Sequence, residues 1–100
     1  MFDFARIEGF DWDDGNSRKS DERHGVTQAE AEQVFTDRRI VVSDDVDHSD
    51  TEERYHALGA SPNGRRLHVT FTLRRGGTLI RVISARDMNR KERARYDSQA

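Results

Sequence analysis

Arginine is the residue type in this chain best suited to act on a phosphate group. Arg54, Arg81 and Arg86 lie on, or at the ends of, short apolar runs that are typical of β-strands. A guanidinium group binds phosphate oxygens through two parallel hydrogen bonds and stays charged at any working pH. The three arginines are therefore candidates for stabilising negative charge on a phosphate. The structural alternative for Arg54 is an ion pair with Glu52 or Glu53.

Proton transfer near neutral pH is a second task, and histidine is the side chain that performs it most readily. The candidates are His24, His56, His68, Glu52 and Glu92. His24 precedes a glycine, so it could instead belong to the closing turn of a helix. We interpret His56 and His68 as surface residues, and Glu92 as part of a helix cap.

The sequence does not indicate a metal or cofactor site. Segment 43–50, SDDVDHSD, carries carboxylates and a histidine, but it lacks the glycine and the distal glutamate of a calcium-binding loop. The chain has no cysteine, and Gly76 and Gly77 fit a hairpin turn better than a phosphate-binding loop. We therefore interpret 43–50 as a solvated acidic loop and expect neither a metal nor a cofactor.

Length and composition are those of a small folded protein. The 100 residues predict one domain over 1–100, and the 33% hydrophobic and 36% charged residues predict a modest core under a charged surface. The absence of cysteine favours a reducing, cytoplasmic location. No apolar run approaches the roughly 18 residues of a membrane span, and the first ten residues lack the apolar core of a signal peptide.

The net charge of -2 conceals a strong polarity along the chain. Residues 1–50 hold 6 Lys and Arg against 14 Asp and Glu, whereas residues 51–100 hold 11 against 5. Such separation indicates a basic surface for a polyanion on a molecule kept soluble by acidic groups. The alternative is that the two halves of the sequence are not separate in space.

The first half predicts one strand and two helices. Residues 8–12 alternate polar and aromatic side chains as a half-buried strand does, whereas 13–25 contain no apolar residue that could hold a helix against a core. Residues 26–35 form a better helix, because Thr27 and Glu30 make a capping box.

The second half predicts an antiparallel meander followed by a helix. After the helix at 26–35, strands are predicted at 38–43, 54–60, 66–73 and 78–86. Hairpin turn residues separate the last three strands. Asn89 and Glu92 form the capping box of a final helix, which Met88 and Tyr96 anchor. This order of elements predicts the α+β class, with about four to five strands, N-terminal helices and a C-terminal helix.

Several of these segments together resemble the BrnT family, the toxins of BrnT–BrnA toxin–antitoxin pairs. The matching segments are FDWD at 10–13, RHGV at 23–26, AEQVFTD at 31–37, EERYHALG at 52–59, and RVISAR with ERARY within 81–96. The resemblance implies a RelE-like fold and an endoribonuclease that arrests translation. RNA carries its own nucleophile, the 2′-hydroxyl, so such an enzyme needs no metal.

The resemblance also implies roles for particular residues and partners. The expected catalytic residues are Arg54, Arg81, Arg86 and His24, and the expected RNA-binding residues are Arg23, Ser84, Arg90, Lys91 and Arg93. The expected partners are RNA and a BrnA-like ribbon-helix-helix antitoxin, with operator DNA bound only through the antitoxin complex. A basic segment of the antitoxin could also contact the acidic loop. No membrane contact is expected.

The chain departs from the family pattern in its first helix. Asn16 stands where the family usually has lysine, Ser20 where it has asparagine, Asp21 where it has leucine, and Gln28 where it has an aromatic residue. These changes predict weaker packing of that helix and no role for it in RNA contact. They also leave an alternative open, a non-catalytic module that binds nucleic acid or the antitoxin.

Overall fold

The computed structural model describes residues 2–47 and 52–99, in which helices and a five-stranded sheet form the predicted α+β fold. His48, Ser49 and Asp50 of the predicted acidic loop lie outside the described residues. The elements in chain order are β1 (Gly9–Phe10), α1 (Asp14–His24), α2 (Gln28–Val34), β2 (Val41–Asp44), β3 (Arg54–Ala60), β4 (Arg66–Arg74), β5 (Leu79–Asp87) and α3 (Arg90–Gln99). The strand order across the sheet is β1-β5-β4-β3-β2.

The predicted meander is confirmed, with strand bounds within a residue of the sequence-based ones. β3 pairs with β4 and β4 with β5, both antiparallel. The turn between β4 and β5 requires three consecutive residues at positive φ, namely Arg75 at 51°, Gly76 at 65° and Gly77 at 91°. Glycine adopts this conformation without steric cost, which explains the paired glycines.

Strand β1 is shorter than predicted and runs parallel to β5, so the sheet is mixed. The N–H of Glu8 donates to the carbonyl of Thr78 at 2.7 Å, and the N–H of Asp11 donates to that of Ile80 at 2.8 Å. A parallel pair needs a long connection between its strands, and here that connection contains α1, α2 and the other three strands.

Helix α1 is held to the sheet by polar side chains, which corrects the expectation of weak packing. Asn16 and Ser20 are only 7% and 2% exposed. The amide of Asn16 donates to the carbonyl of Val82 at 2.9 Å, and the hydroxyl of Ser20 accepts from the N–H of Ala85 at 2.9 Å. Two of the four positions that depart from the family pattern are thus the ones that dock the helix.

Helix α2 begins with the predicted capping box and packs on the core face of the sheet. The N–H of Glu30 donates to Thr27 Oγ1 at 3.2 Å, and the N–H of Thr27 donates to Glu30 Oε1 at 3.3 Å. A Cβ added at Gly59 in β3 would lie 2.8 Å from Val34 Cγ1. The absence of a side chain at Gly59 therefore sets how closely α2 approaches the sheet.

Helix α3 covers part of the opposite face. Its predicted cap is confirmed, since Asn89 and Glu92 exchange backbone-to-side-chain hydrogen bonds of 2.9 Å. The predicted anchors Met88 and Tyr96 form a second apolar cluster with Leu58. The two faces of the sheet are therefore both used, one for the main core and one for α3.

The carboxylate of Asp37 joins three parts of the fold. It accepts from the hydroxyl of Tyr96 at 2.5 Å and from the N–H of Ala60 at 2.8 Å. Burial alone would raise the pKa of Asp37, but these hydrogen bonds and nearby Arg39 lower it below its ordinary value. The end of α2, the end of β3 and the last helix are thus tied together by one charged group.

Replacing Ser20 tests whether polar contacts hold α1. Ser20→Ala leaves the buried N–H of Ala85 without its acceptor, so we expect the free energy of unfolding to fall by about 1–3 kcal/mol in urea titrations. The matched control is Ser17→Ala on the same helix, whose hydroxyl contacts Gln28 at the surface at 3.3 Å; there we expect a change within about 0.5 kcal/mol. Equal losses in the two variants would contradict this account of α1.

Candidate active site

The face of the sheet opposite α2 carries polar residues in three cross-strand rows. Residues directly opposite each other on antiparallel strands point to the same face. The first row is Arg54, Thr72 and Arg81; the second is Ser43, His56, Thr70 and Ser84; the third is Leu58, His68 and Arg86. The three predicted arginines and Ser84 therefore share one face of the sheet.

A β-bulge in β5 brings these side chains together. Thr70 pairs with Ser84 but Phe71 pairs with Val82, so Ile83 is the extra residue. Without the bulge, residues 81, 83 and 85 would face the same side. The bulge places Arg81 and Ser84 on one face although they are three residues apart.

A cavity of about 230 Å³ opens on this face beside α3. It is lined by Ser43, His56, Leu58, His68, Arg86, Glu92 and Arg95. The lining contains two arginines, two histidines and one carboxylate around a single apolar residue. Such a set of groups suits an anionic ligand that must also exchange protons.

The two histidines form a stacked, hydrogen-bonded pair. Their ring centroids are 4.8 Å apart, and His68 Nε2 lies 2.9 Å from His56 Nδ1. The other nitrogen of His56, Nε2, lies 3.1 Å from Asp45 Oδ2. Thr70 Oγ1 is a further neighbour of His56 Nδ1, at 3.2 Å. His56 is thus fixed in orientation by two neighbours on β4 and by one residue just beyond β2.

These contacts define one protonation state in which every ring N–H of the pair has an acceptor. His56 donates from Nε2 to Asp45, and His68 donates from Nε2 to the unprotonated Nδ1 of His56. His68 Nδ1, which has no hydrogen-bond partner in the part of the chain that the structure describes, is then the nitrogen without a proton. A buried N–H without an acceptor is costly, so His68 is neutral in this arrangement.

His68 is buried, which corrects its interpretation as a surface residue. It is 8% exposed and sits under α3. Burial lowers the pKa of His68 to about 4, and nearby Glu92 only partly opposes this shift. His68 is therefore uncharged at neutral pH and acts as a fixed hydrogen-bond donor to His56.

Arg86 is held by Glu92 through a bidentate ion pair, with distances of 2.8 and 2.9 Å. Burial would raise the pKa of Glu92, but the contacts with Arg86 and the N–H of Asn89 lower it to about 2. A guanidinium group has five N–H donors. Two of those of Arg86 bind Glu92 and one binds the carbonyl of Asp87, which leaves donors for a ligand.

Arg81 is held by two carboxylates at the start of α1. Its NH2 lies 2.9 Å from Asp13 Oδ2 and its NH1 lies 3.6 Å from Asp11 Oδ2. The pKa of Asp13 is lowered by the N–H of Asn16 and by Arg81. The side chain of Arg81 is therefore held in position, but the two carboxylates partly neutralise its positive charge.

Arg54 begins β3, opposite Thr72 in the first row. The two glutamates proposed as its alternative partners both have contacts with other residues. Glu52 binds Arg74 at 2.6 Å, and Glu53 accepts from the hydroxyl of Tyr55. The position of Arg54 on the polar face is the one that a phosphate-binding role needs.

His24 and Arg23 lie at the exposed end of α1, outside the cavity lining. The helix closes at Gly25, which has a left-handed conformation with φ 64°. The backbone carbonyl of His24 accepts from Arg65 at 3.2 Å. The structural alternative for His24, the closing turn of a helix, therefore matches its position, and its catalytic role stays a prediction.

The basic residues of α3 divide into two groups. Arg90, Lys91 and Arg93 are exposed along the helix, and Arg93 donates to the carbonyl of Met88 at 3.2 Å. Arg95 instead lines the cavity beside Arg86. Sequence reasoning named His56 and His68 as candidates for proton transfer but interpreted them as surface residues, and it did not assign Arg95 to a site. The β4–β5 turn by itself would pair His68 with Ala85, and the bulge at Ile83 shifts the register so that Arg86 lies opposite His68. This pairing was therefore not predictable from the turn residues.

The described residues offer no metal site, since none of their His, Asp and Glu groups of three or more has suitable geometry. Within 2–47 and 52–99, no helix has the length and apolar content to cross a bilayer.

The fold and the cavity define a small α+β protein whose polar sheet face carries arginines and a pair of histidines. A family model described as the ribonuclease toxin BrnT of type II toxin–antitoxin systems matches residues 12–92. The chain therefore belongs to the BrnT family of ribonuclease toxins, as the resemblance indicated. Among curated proteins, no significant match is found. An antitoxin partner follows from membership of this family.

The low pKa of His68 predicts a stability that falls in mild acid. Between pH 6.5 and 4 the unfolded chain binds a proton at this position that the folded chain does not, so the free energy of unfolding decreases as pH falls. From pH 7 to 5 we expect His68 to contribute a loss of about 2 kcal/mol. Urea titrations of His68→Gln should show a correspondingly flatter pH dependence.

The matched control for this measurement is His24→Gln, because His24 is exposed at the end of α1. Its pH dependence of unfolding should follow that of the unmodified protein. An equally steep dependence in His68→Gln would mean that the buried imidazole is not the group responsible.

Proposed function

We propose that this chain is an endoribonuclease toxin that cuts RNA without a metal ion and thereby inhibits translation. The observation that carries the proposal is the shared face of Arg54, Arg81 and Arg86, which meets the histidine-lined cavity at Arg86. The family's description as ribonuclease toxins supports the same reaction class.

In the proposed reaction the 2′-hydroxyl of RNA attacks the adjacent phosphorus, and the bond to the 5′-oxygen breaks. A base takes the proton of the 2′-hydroxyl and an acid gives one to the leaving oxygen. The products are a 2′,3′-cyclic phosphate and a free 5′-hydroxyl. Arg86 and Arg95 border the cavity from two elements and stabilise the charge on the phosphorane oxygens.

His56 is the histidine best placed to transfer the proton. Its side chain is 31% exposed, whereas that of His68 is 10% exposed. An RNA hydroxyl that reaches His56 takes the place of Asp45 at Nε2 or of Thr70 at Nδ1. Catalytic hydrogen bonds often form only in the substrate complex, so the present contacts are compatible with this role.

The remaining predicted residues act in binding. Ser84 is a donor in the second row, and Arg90, Lys91 and Arg93 extend positive charge along α3 next to the cavity. Arg23 and His24 lie at the end of α1. They contact RNA only if the bound RNA chain also passes that helix.

A second candidate function is a non-catalytic module that binds RNA or the antitoxin. The observation that favours it is the pairing of the key arginines with carboxylates, Arg81 with Asp13 and Arg86 with Glu92. A phosphate must compete with these partners. The module would bind RNA through the same face but leave it uncut.

The proposed partner is a ribbon-helix-helix antitoxin, which holds the toxin inactive and binds operator DNA in the complex. Its gene should adjoin the gene of this chain. A neighbouring reading frame that encodes no such protein would count against this type of antitoxin. The ribonuclease proposal would be unaffected, because it is based on the arginines and histidines of the site.

Cleavage and binding separate the two candidate functions. Purified, antitoxin-free protein should cut single-stranded RNA in EDTA and leave 2′,3′-cyclic phosphate ends. Arg86→Ala removes a charge from the cavity, so we expect cleavage to fall at least about 100-fold, with RNA binding weakened only a few-fold. Arg75→Ala, at the exposed β4–β5 turn, is the matched control and should cut normally.

Intact RNA after incubation with unmodified protein, combined with measurable binding, would support the non-catalytic module instead. An unchanged cleavage rate in Arg86→Ala would exclude Arg86 from the chemistry.

A further inference from the structure

One edge of the sheet is covered by other parts of the chain, and the other edge is open in the described residues. The edge of β5 is covered by β1 and then by the side chains of Asn16 and Ser20. At the other edge, β2 pairs with β3 on one side, and in the described ranges no strand lies on its other side. An open edge presents backbone donors and acceptors to another chain.

The register shows which backbone groups of β2 point outward. The N–H of Asp45 donates to the carbonyl of Arg54 at 2.8 Å, just beyond the paired residues of β2 and β3. Hydrogen-bonded residues alternate along an antiparallel pair. The backbone groups of Val42 and Asp44 therefore face away from β3 and are available to a further strand.

Apolar surface borders this edge. Among the described residues, the exposed large hydrophobic side chains are Phe4, at 45%, and Val46, at 84%. A cavity of about 420 Å³ beside the edge is lined by Phe2, Phe4, Ile40, Val42, Ser43 and Asp44. A partner strand laid along β2 could therefore insert an apolar side chain next to Phe4.

The charge around the edge selects the partner. Asp3, Asp44 and Asp47 are exposed there. These carboxylates repel RNA, and in a pairing of β2 with a second copy they would face one another, which is unfavourable. A protein segment with basic residues is attracted instead.

We propose that the open edge of β2 is the docking site of the antitoxin. An extended antitoxin segment adds a sixth strand beside β2, with its backbone bonded to Val42 and Asp44. Its apolar residues fill the cavity at Phe4, and its basic residues pair with the aspartates. The inference rests on the proposed function only in taking the partner to be the antitoxin.

The first test is amide hydrogen exchange of the full chain, alone and in complex with the product of the adjoining antitoxin gene. Binding should slow exchange of the outward amides of Val42 and Asp44. The amide of Gly64, in the β3–β4 turn, is the internal control and should exchange at the same rate in both samples.

The second test uses two substitutions at one exposed position. Asp44→Ala removes the charge, whereas Asp44→Pro also removes the outward N–H, which β2 does not use in pairing with β3. We expect affinity for the antitoxin to fall a few-fold in Asp44→Ala and at least about tenfold more in Asp44→Pro. Thermal unfolding should show that both variants remain folded.

Wild-type affinity in Asp44→Pro and in Phe4→Ala, with no protection at Val42, would overturn the proposal. Self-association of the chain that is lost in Asp44→Pro would also overturn it, in favour of a second copy at this edge. RNA cleavage by Phe4→Ala should be unchanged, because Phe4 lines the cavity at the edge and not the cavity around His56 and Arg86; this result keeps a failure of docking distinct from a failure of ribonuclease activity.

Discussion

The outer edge of β5 must have its backbone hydrogen bonds satisfied, and the rest of the structure depends on how this is done. β1 satisfies only the first part of the edge, and the side chains of Asn16 and Ser20 continue along it by bonding to Val82 and Ala85. An unsatisfied buried backbone group would cost about 1–3 kcal/mol. This arrangement explains why α1 needs no apolar stripe, and it fixes the strand that carries Arg81 and Arg86.

The position of β5 in turn determines which side chains lie on the polar face of the sheet. The bulge at Ile83 directs Arg81 and Ser84 to one side, and the pairing of His68 with Arg86 brings the imidazole pair to the same cavity. Because burial keeps His68 uncharged, this imidazole adds nothing to the positive charge of the arginines there. Asp11 and Asp13 of the acidic half hold Arg81 in place, whereas Glu92 holds Arg86. The acidic half also forms the edge proposed to bind the antitoxin.

The sequence predicted the elements whose determinants are local. The capping boxes at Thr27 and Asn89 and the glycine-containing turns of the meander depend on neighbouring residues, and all were confirmed. The docking of α1 was missed because polar side chains that bond a distant strand leave no periodic pattern. The burial of His68 was missed because it depends on where α3 folds back, and the bulge has no signal in residue types alone.

The central claim is that RNA binds the polar face of the sheet, which α3 partly covers, and not the side of the molecule that carries α1. NMR titration of the full chain with a 2′-O-methyl RNA oligonucleotide, which binds but lacks the nucleophile, tests it most directly. We expect the largest changes in chemical shift at His56, Ser84 and Arg86, with little change at Gly15 and Arg18 on α1. Changes confined to α1, with the cavity residues unaffected, would contradict it.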